Sequence, residues 1–178
     1  ETNADVEINT GVGTILLDNK AVAAISNSAA EGNVSIGIEK IDPSTLSKEV
    51  QEKVGDRPVY DLTIKVGDSP VSDFGEGKAA ISIPYTLKEG ENKNSVIVYY
   101  VADDGTLTTV RGRYNDLTGM VEFEVKHFSK YAVAYNEVKF YDVAATAWYS
   151  EAVGFIAARS ITVGTGEGNF SPDANLTR

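Results

Sequence analysis

The sequence predicts a mainly β fold: an antiparallel β-sandwich with two short helices, followed by a small helical segment. Three observations carry that reading. Apolar and polar residues alternate in successive stretches between residues 5 and 135. The breaks between those stretches hold Gly and Asp, the residues that tight hairpins need. Beyond residue 139 the period of two gives way to helical spacing.

The elements follow in order. Residues 18–29 are alanine-rich with Val22 and Ile25, and predict a short helix. Val34, Ile36 and Ile38 alternate with smaller or polar residues as a half-buried strand does. Residues 43–53 predict a second helix, opened by Asp42 as N-cap and Pro43 at the first helical position. Tyr60, Leu62, Ile64 and Val66 share one face, opposite Asp61, Thr63 and Lys65. Ala79, Ile81 and Ile83 repeat the pattern. The run Val96 to Val101 is almost continuously apolar, which predicts a central strand buried on both faces. Val121, Phe123 and Val125 face away from Glu122, Glu124 and Lys126. Gly67-Asp68, Asp103-Asp104-Gly105 and Asp116-Leu117-Thr118-Gly119 are the expected turns. Residues 136–139 form a short joint, and Trp148, Ala152, Phe155 and Ile156 mark a helix over 147–159. The expected division is 1–137 for the sandwich and 138–178 for the C-terminal segment.

Composition narrows the function. The chain has 178 residues, 42% hydrophobic and 24% charged, enough to bury a core. Its 26 acidic and 16 basic side chains give a net charge of -10, which repels nucleic acid and anionic membrane surfaces alike. Without cysteine there is no disulfide or thiolate chemistry, and the single His127 cannot build a multi-imidazole metal site. No cofactor or metal is expected. No apolar run approaches the roughly 18–20 residues of a membrane span. The sequence lacks an initiating Met and a signal peptide, so the expectation is a fragment of a longer exported protein.

The C-terminal stretch carries the most specific pattern. It reads Phe140-Tyr141-Asp142-Val143, then Trp148-Tyr149, then Gly164-Thr165-Gly166-Glu167-Gly168-Asn169-Phe170-Ser171-Pro172, then Leu176-Thr177-Arg178. This resembles one repeat of the S-layer homology family, the modules that hold proteins to bacterial cell walls. The resemblance implies a helix, a glycine-containing loop and a second helix, with three repeats packing around a pseudo-threefold axis. It also implies a partner: secondary cell-wall polysaccharide, often bearing pyruvate ketals, held in grooves between repeats. Thr177 and Arg178 match the opening of the family's Thr-Arg-Ala-Glu, whose arginine fork suits a carboxylate-bearing sugar. Asp142, Trp148, Gly164, Thr177 and Arg178 are therefore the candidate ligand-binding residues. Each also has a structural reading: Trp148 and Phe170 as core packing, Asp142 as a cap on the following turn, the glycines as backbone geometry. The Gly-x-Gly-x-Gly spacing is not a phosphate cradle, because a helix precedes it and no Lys-Ser/Thr follows. Ser160 stands where the family usually has glycine, which predicts a different helix end.

The sandwich carries a second resemblance. Asp56-Arg57-Pro58-Val59-Tyr60-Asp61, Ile81-Ser82-Ile83-Pro84-Tyr85-Thr86, Val98-Tyr99-Tyr100 and Lys126-His127-Phe128-Ser129-Lys130-Tyr131-Ala132-Val133 resemble a module found upstream of S-layer homology repeats in large Gram-positive surface proteins. Within it, His127-Phe128-Ser129 is similar to the cleavage motif of self-cleaving sandwich domains such as GAIN domains. That resemblance implies His127 as base, Ser129 as nucleophile and Phe128–Ser129 as the scissile bond. Counting by twos from Val121 puts His127 and Ser129 on the core face. The plainer reading has both tying their strand to its neighbours. Tyr99, Tyr100 and Tyr114 are candidates for stacking on sugar, as in a carbohydrate-binding module. Glu122 and Glu124 read as a solubilising face, and Asp103-Asp104 as a turn with too few oxygens for calcium. The expected function is non-catalytic: an extracellular spacer and the start of a cell-wall anchor, from a larger surface protein such as a glycoside hydrolase or S-layer protein.

Overall fold

The computed structural model describes residues 4–28, 31–71 and 73–175. In chain order the first strands are β1 (Val6–Asn9), β2 (Thr14–Leu17), β3 (Val34–Ile41), β4 (Val59–Val66), β5 (Ser69–Pro70) and β6 (Ala79–Pro84). They are followed by β7 (Val96–Val101), β8 (Leu107–Val110), β9 (Gly112–Asn115), β10 (Met120–Val125) and β11 (Lys130–Tyr135). The α-helices are α1 (Asn19–Ser26), α2 (Lys48–Val54) and α3 (Ser150–Ala158). One antiparallel sheet runs β1-β2-β6-β10-β9 and the other β3-β4-β11-β7-β8, with β5 pairing β4 at one end. This is the expected sandwich with a small helical segment after it.

The inward faces are those the period of two marked. Tyr60, Leu62, Ile64 and Val66 meet Ile81, Ile83, Val121, Phe123 and Val125 in one core. Tyr131 sits at its centre, 1% exposed, with its ring 5.5 Å from that of Phe123. The hairpin of β1 and β2 extends the five-stranded sheet, and Ile15 and Leu17 add to the core.

The second sheet is buried on both sides where α2 and α3 cover it. Val59, Val101 and Ala132 face outward beneath Val50 and Val54 of α2. Ile97 and Ala134 face outward beneath Ala158 of α3. The apolar run 96–101 is therefore buried on both faces as expected, but the middle place in the sheet belongs to β11.

The helices depart from expectation in ways their caps explain. Asp18 caps α1 by accepting from the Ala21 N–H at 2.7 Å, and the helix ends at Ser26; the expected end at residue 29 lies outside the described residues. The helix expected over 43–53 is two pieces. Asp42 caps a single 3₁₀ turn, Pro43–Thr45, and Ser47 then opens α2 by accepting from the Val50 N–H. A second hydroxyl cap inside the window restarts the helix. In the C-terminal segment α3 begins at Ser150, leaving Trp148 outside it, and buries Val153, Ala157 and Ala158 rather than Ala152, Phe155 and Ile156.

Candidate functional site

The C-terminal segment closes on itself through an aromatic pair and one carboxylate. The rings of Phe140 and Phe170 lie 5.5 Å apart, over Val153 and Ala157 of α3. Asp142 does not cap the turn after it. Its two oxygens accept from the Phe170 N–H at 2.8 Å and the Ser171 N–H at 2.6 Å, joining chain ends 28 and 29 residues apart. Those backbone bonds hold its carboxyl below the usual range. Gly164 has φ of +78°, and a Cβ there would lie 2.3 Å from the Asn169 oxygen and 2.6 Å from the Phe140 ring. Only glycine fits this close approach. Asp142, Gly164 and Phe170 thus belong to one folded loop, and their described roles are structural.

The end of α3 is a Schellman motif. The Ser160 N–H bonds to the Ala157 carbonyl at 2.9 Å and the Ile161 N–H to the Ile156 carbonyl at 3.0 Å. Ser160 itself is left-handed at φ of 55°. The expectation that serine would end the helix differently is therefore corrected: serine takes the glycine conformation, with the strain that a Cβ brings there.

Trp148 is not core packing. It is 92% exposed, in a turn before α3, and its ring stands edge-on to the neighbouring Tyr149 ring at 5.4 Å. Tyr141, Ile161 and Val163 are also exposed, at 91%, 68% and 85%. Thr177 and Arg178, the remaining candidate ligand residues, lie outside the described residues.

A residue that sequence reasoning missed fastens this segment to the sandwich. Arg159, 8% exposed, donates from Nε to the Gly112 carbonyl at 2.9 Å and from Nη2 to the Val96 carbonyl at 2.9 Å. Its Nη1 donates to the carbonyls of Asn94 at 2.9 Å and Phe155 at 3.0 Å. The guanidinium stacks over the Phe155 ring at 3.5 Å. Burial lowers its pKa to about 10, so it stays charged at neutral pH, neutralised by carbonyl dipoles rather than by a carboxylate. Asn136 completes the seam by donating to the Ala158 carbonyl at 2.7 Å. The joint at 136–139 is thus part of a packed interface. Its one sequence signal was the small pair Ala157-Ala158 just before the arginine.

The His127-Phe128-Ser129 stretch is where the chain crosses between sheets. β10 ends at Val125, His127 makes an isolated bridge to Asp73, and β11 starts at Lys130. The strand parity expected through residue 129 therefore breaks. Phe128 enters the core, 5% exposed and edge-on to Phe74 at 5.0 Å, while Ser129 is only half-buried beside Pro70 and Val71. The His127 ring packs edge-on against Tyr100 at 4.8 Å, and its carbonyl accepts from the Tyr131 hydroxyl at 2.8 Å. Among the described residues no hydrogen bond joins His127 to Ser129, and neither Phe128 nor Ser129 has positive φ.

The tyrosines suggested for sugar stacking are engaged in packing. Tyr99 lies against the Ile97, Ala134 and Ala158 cluster, Tyr100 against His127 and Tyr131, and Tyr114 against Tyr85 at 6.3 Å. Asp104 accepts from the Thr106 N–H at 2.8 Å as a hairpin residue should. Glu122 is held by Asn115 at 2.7 Å and by Arg113. Among the described residues no group of three acidic or histidine side chains is placed to hold a metal.

Comparison with known proteins bears on the same segment. Residues 139–178 match the family model of the S-layer homology domain. The chain is also similar to an amylopullulanase of Thermoanaerobacterium thermosulfurigenes, 23% identical over 162 residues. That alignment covers 90% of this chain but 8% of the relative, so the chain spans under a tenth of that protein's length. No solved structure matches the chain.

Proposed function

An S-layer homology domain lies at the C-terminus of this chain, and from that premise we propose that the chain is a non-catalytic surface module, a rigid spacer joined to the start of a cell-wall anchor. Residues 1–137 are the spacer and 138–178 an S-layer homology repeat. The observation that carries this reading is the one-sided burial of the C-terminal segment. Its inner side is closed by Phe140, Phe170, Ala157 and Arg159, whereas Tyr141, Trp148, Ile161 and Val163 stand in solvent. A half-built unit of helices leaves such a surface for the next repeat to cover.

In this reading the anchor's ligand is secondary cell-wall polysaccharide. Trp148 lines the groove completed by a following repeat, and Thr177 and Arg178 are the further candidate contacts, an arginine fork suiting a carboxylate on the sugar. Asp142 and Gly164 hold the glycine-rich loop in its fold. The protein works outside the cell, on a Gram-positive wall, and the larger protein carrying it acts on polysaccharide. The seam at Arg159 gives the anchor a fixed direction relative to the spacer.

The test is sedimentation with purified cell walls. The longer protein, with its further repeats, is expected to pellet with wall material that retains its secondary polysaccharide. It should stay in solution with walls stripped of that polymer. Equal pelleting with both preparations, or with neither, would overturn the reading.

A further inference from the structure

The two sheets do not finish alike. Part of the outer face of the six-stranded assembly is roofed by α2 and α3, but the outer face of β1-β2-β6-β10-β9 has no helix over it among the described residues. Cross-strand register sets out what that face presents. Leu16, Ala80 and Glu124 form one row, and Thr14, Ser82, Glu122 and Arg113 the next. Small Ala80 and Ser82 on β6 make the floor of a trough, and the longer side chains of β9 and β10 make one wall. The result is a groove of about 450 Å³, closed at one side by Phe155 of α3. A recess of about 340 Å³ continues it, sharing Arg111 and Glu124 and adding Lys78 and Lys126.

The charge on this face runs against the rest of the molecule. The chain carries a net -10, yet the lining of this groove and its recess sets Lys78, Arg111, Arg113 and Lys126 against Glu122 and Glu124, with Glu7 one strand beyond Leu16 in the same row. Arg113 is taken by Glu122 at 3.0 Å, and Lys78 lies 3.5 Å from Glu124. Arg111 and Lys126 remain: both are exposed, and neither side chain has a hydrogen-bond or ion-pair partner among the described residues. An unengaged guanidinium beside a groove is a ready fork for a carboxylate.

We propose that this groove is a binding site for a carboxylate-bearing glycan, separate from the wall-anchor surface. Each feature of the trough favours that occupant. Its floor is open and shallow, without the deep apolar pocket that anchors a protein partner. Ser82 and Glu122 offer a hydroxyl and a carboxylate to sugar hydroxyls. The half-buried Phe155 ring supplies an apolar surface for a sugar ring at one end. Sparse carboxylates meet Arg111 and Lys126, whereas a densely charged phosphate polymer is repelled by the acidic remainder of the surface. The site needs both parts of the chain, because Phe155 comes from α3 and the Gly112 backbone beside it is held by Arg159. It does not rest on the anchor reading, since neither Trp148 nor a further repeat takes part.

Calorimetry on the full chain tests it, with oligogalacturonate as the carboxylated probe, maltohexaose as the neutral one and inorganic polyphosphate as the phosphate one. The expected result is saturable binding of oligogalacturonate that weakens as salt rises. An Arg111→Gln/Lys126→Gln double variant should bind at least about tenfold more weakly. Lys48→Gln/Lys53→Gln, a charge-matched change at two exposed positions of α2, should bind as the parent does. Both altered groove residues are exposed and unpaired, so circular dichroism should show the parent fold. No binding of oligogalacturonate, equal binding of maltohexaose, preference for polyphosphate, or a double variant that binds normally would each overturn the proposal. Wall sedimentation of the longer protein is a separate measurement, so the two readings fail separately.

Discussion

The two outer faces of the sandwich use the same strand geometry to opposite ends. On one, Val59, Ile97, Val101, Ala132 and Ala134 make an apolar surface that two helices roof over. On the other, the equivalent positions are Ala80, Ser82, Glu122, Glu124 and Arg113, and the face stays wet. The difference shows how a sheet is committed to a neighbour. A strand apolar on both faces demands a second layer, while a strand with a polar face stands as a surface in its own right. It also shows why the C-terminal segment is attached to this sheet: β7 and β11 supply the only apolar outer surface at that end among the described residues.

The covered face depends most on Arg159, and its loss should have the largest effect. Arg159→Ala removes the donor shared by four carbonyls and leaves a cavity beneath Phe155. Stability should fall by about 3 kcal/mol. Hydrogen exchange should rise across α3 before it rises in the strands. Uniform loss of protection throughout the sandwich would mean that the roof and the sheet unfold as one and that no seam separates them.

At the rim of the same sheet, Glu91 offers a pH test. Its carboxylate pairs with Arg57, accepts from the Tyr85 hydroxyl at 2.7 Å and accepts from the Lys88 N–H at 3.0 Å. Burial alone would raise its pKa; the hydrogen bonds from Lys88, Tyr85 and Arg57, with the charge of Arg57, outweigh it and leave the value lowered. A lowered folded-state pKa stabilises above the unfolded value, and that contribution disappears as pH falls through the folded one. Glu91→Gln should therefore cost about 2 kcal/mol at neutral pH and progressively less below the usual glutamate range. Tyr85, raised to about 12 chiefly by burial and then by Glu91, adds an alkaline limb. Its contribution is present below about pH 10 and fades as pH rises toward 12. A melting-temperature difference between parent and Glu91→Gln that is flat with pH would rule out this network.

How legible each region was follows from how local its cause is. The period of two is written in adjacent residues, so Tyr60 to Val66 and Val121 to Val125 could be placed on their faces directly. The run 96–101 announced a second layer without saying what would supply it. Arg159 was hidden because an arginine at a helix C-terminus ordinarily reads as a solvated charge complementing the helix dipole. Its acceptors lie up to 65 residues away in sequence. Trp148 was misplaced for the opposite reason: aromatic character argues for burial, but the hydrophobic side of α3 is set by Val153, Ala157 and Ala158, and the tryptophan precedes the helix. The parity count failed beyond His127, at Phe128 and Ser129, because it assumed one continuous strand where the chain changes sheets. The motif over residues 140–178 was legible as a family pattern. The reach of Asp142 back to Phe170 and Ser171 was not, since capping is ordinarily a matter of neighbours.

Smaller effects sharpen the contrast within the C-terminal segment. Ser160→Gly should stabilise by about 1 kcal/mol, because the left-handed position in the Schellman motif is already formed and glycine takes it without strain. Thermal melting checks it; a destabilised variant would mean that the Ser160 side chain contributes more than its backbone strain removes.

The smallest expected change in stability belongs to the most conspicuous side chain. Trp148 is 92% exposed, so Trp148→Ala removes little that folding buries and should shift stability by no more than about 0.5 kcal/mol. An indole so exposed contributes little to this chain's own fold, and in the proposed anchor reading a neighbouring repeat covers it. If that cover is the next repeat of an anchor, the same substitution in the longer protein should weaken wall sedimentation while leaving the isolated chain's melting curve unchanged. Loss of stability in the isolated chain would show that the tryptophan packs inward after all. Full wall binding by the longer variant would free the residue from the anchor and leave Tyr141, Ile161 and Val163 as the surface to be explained.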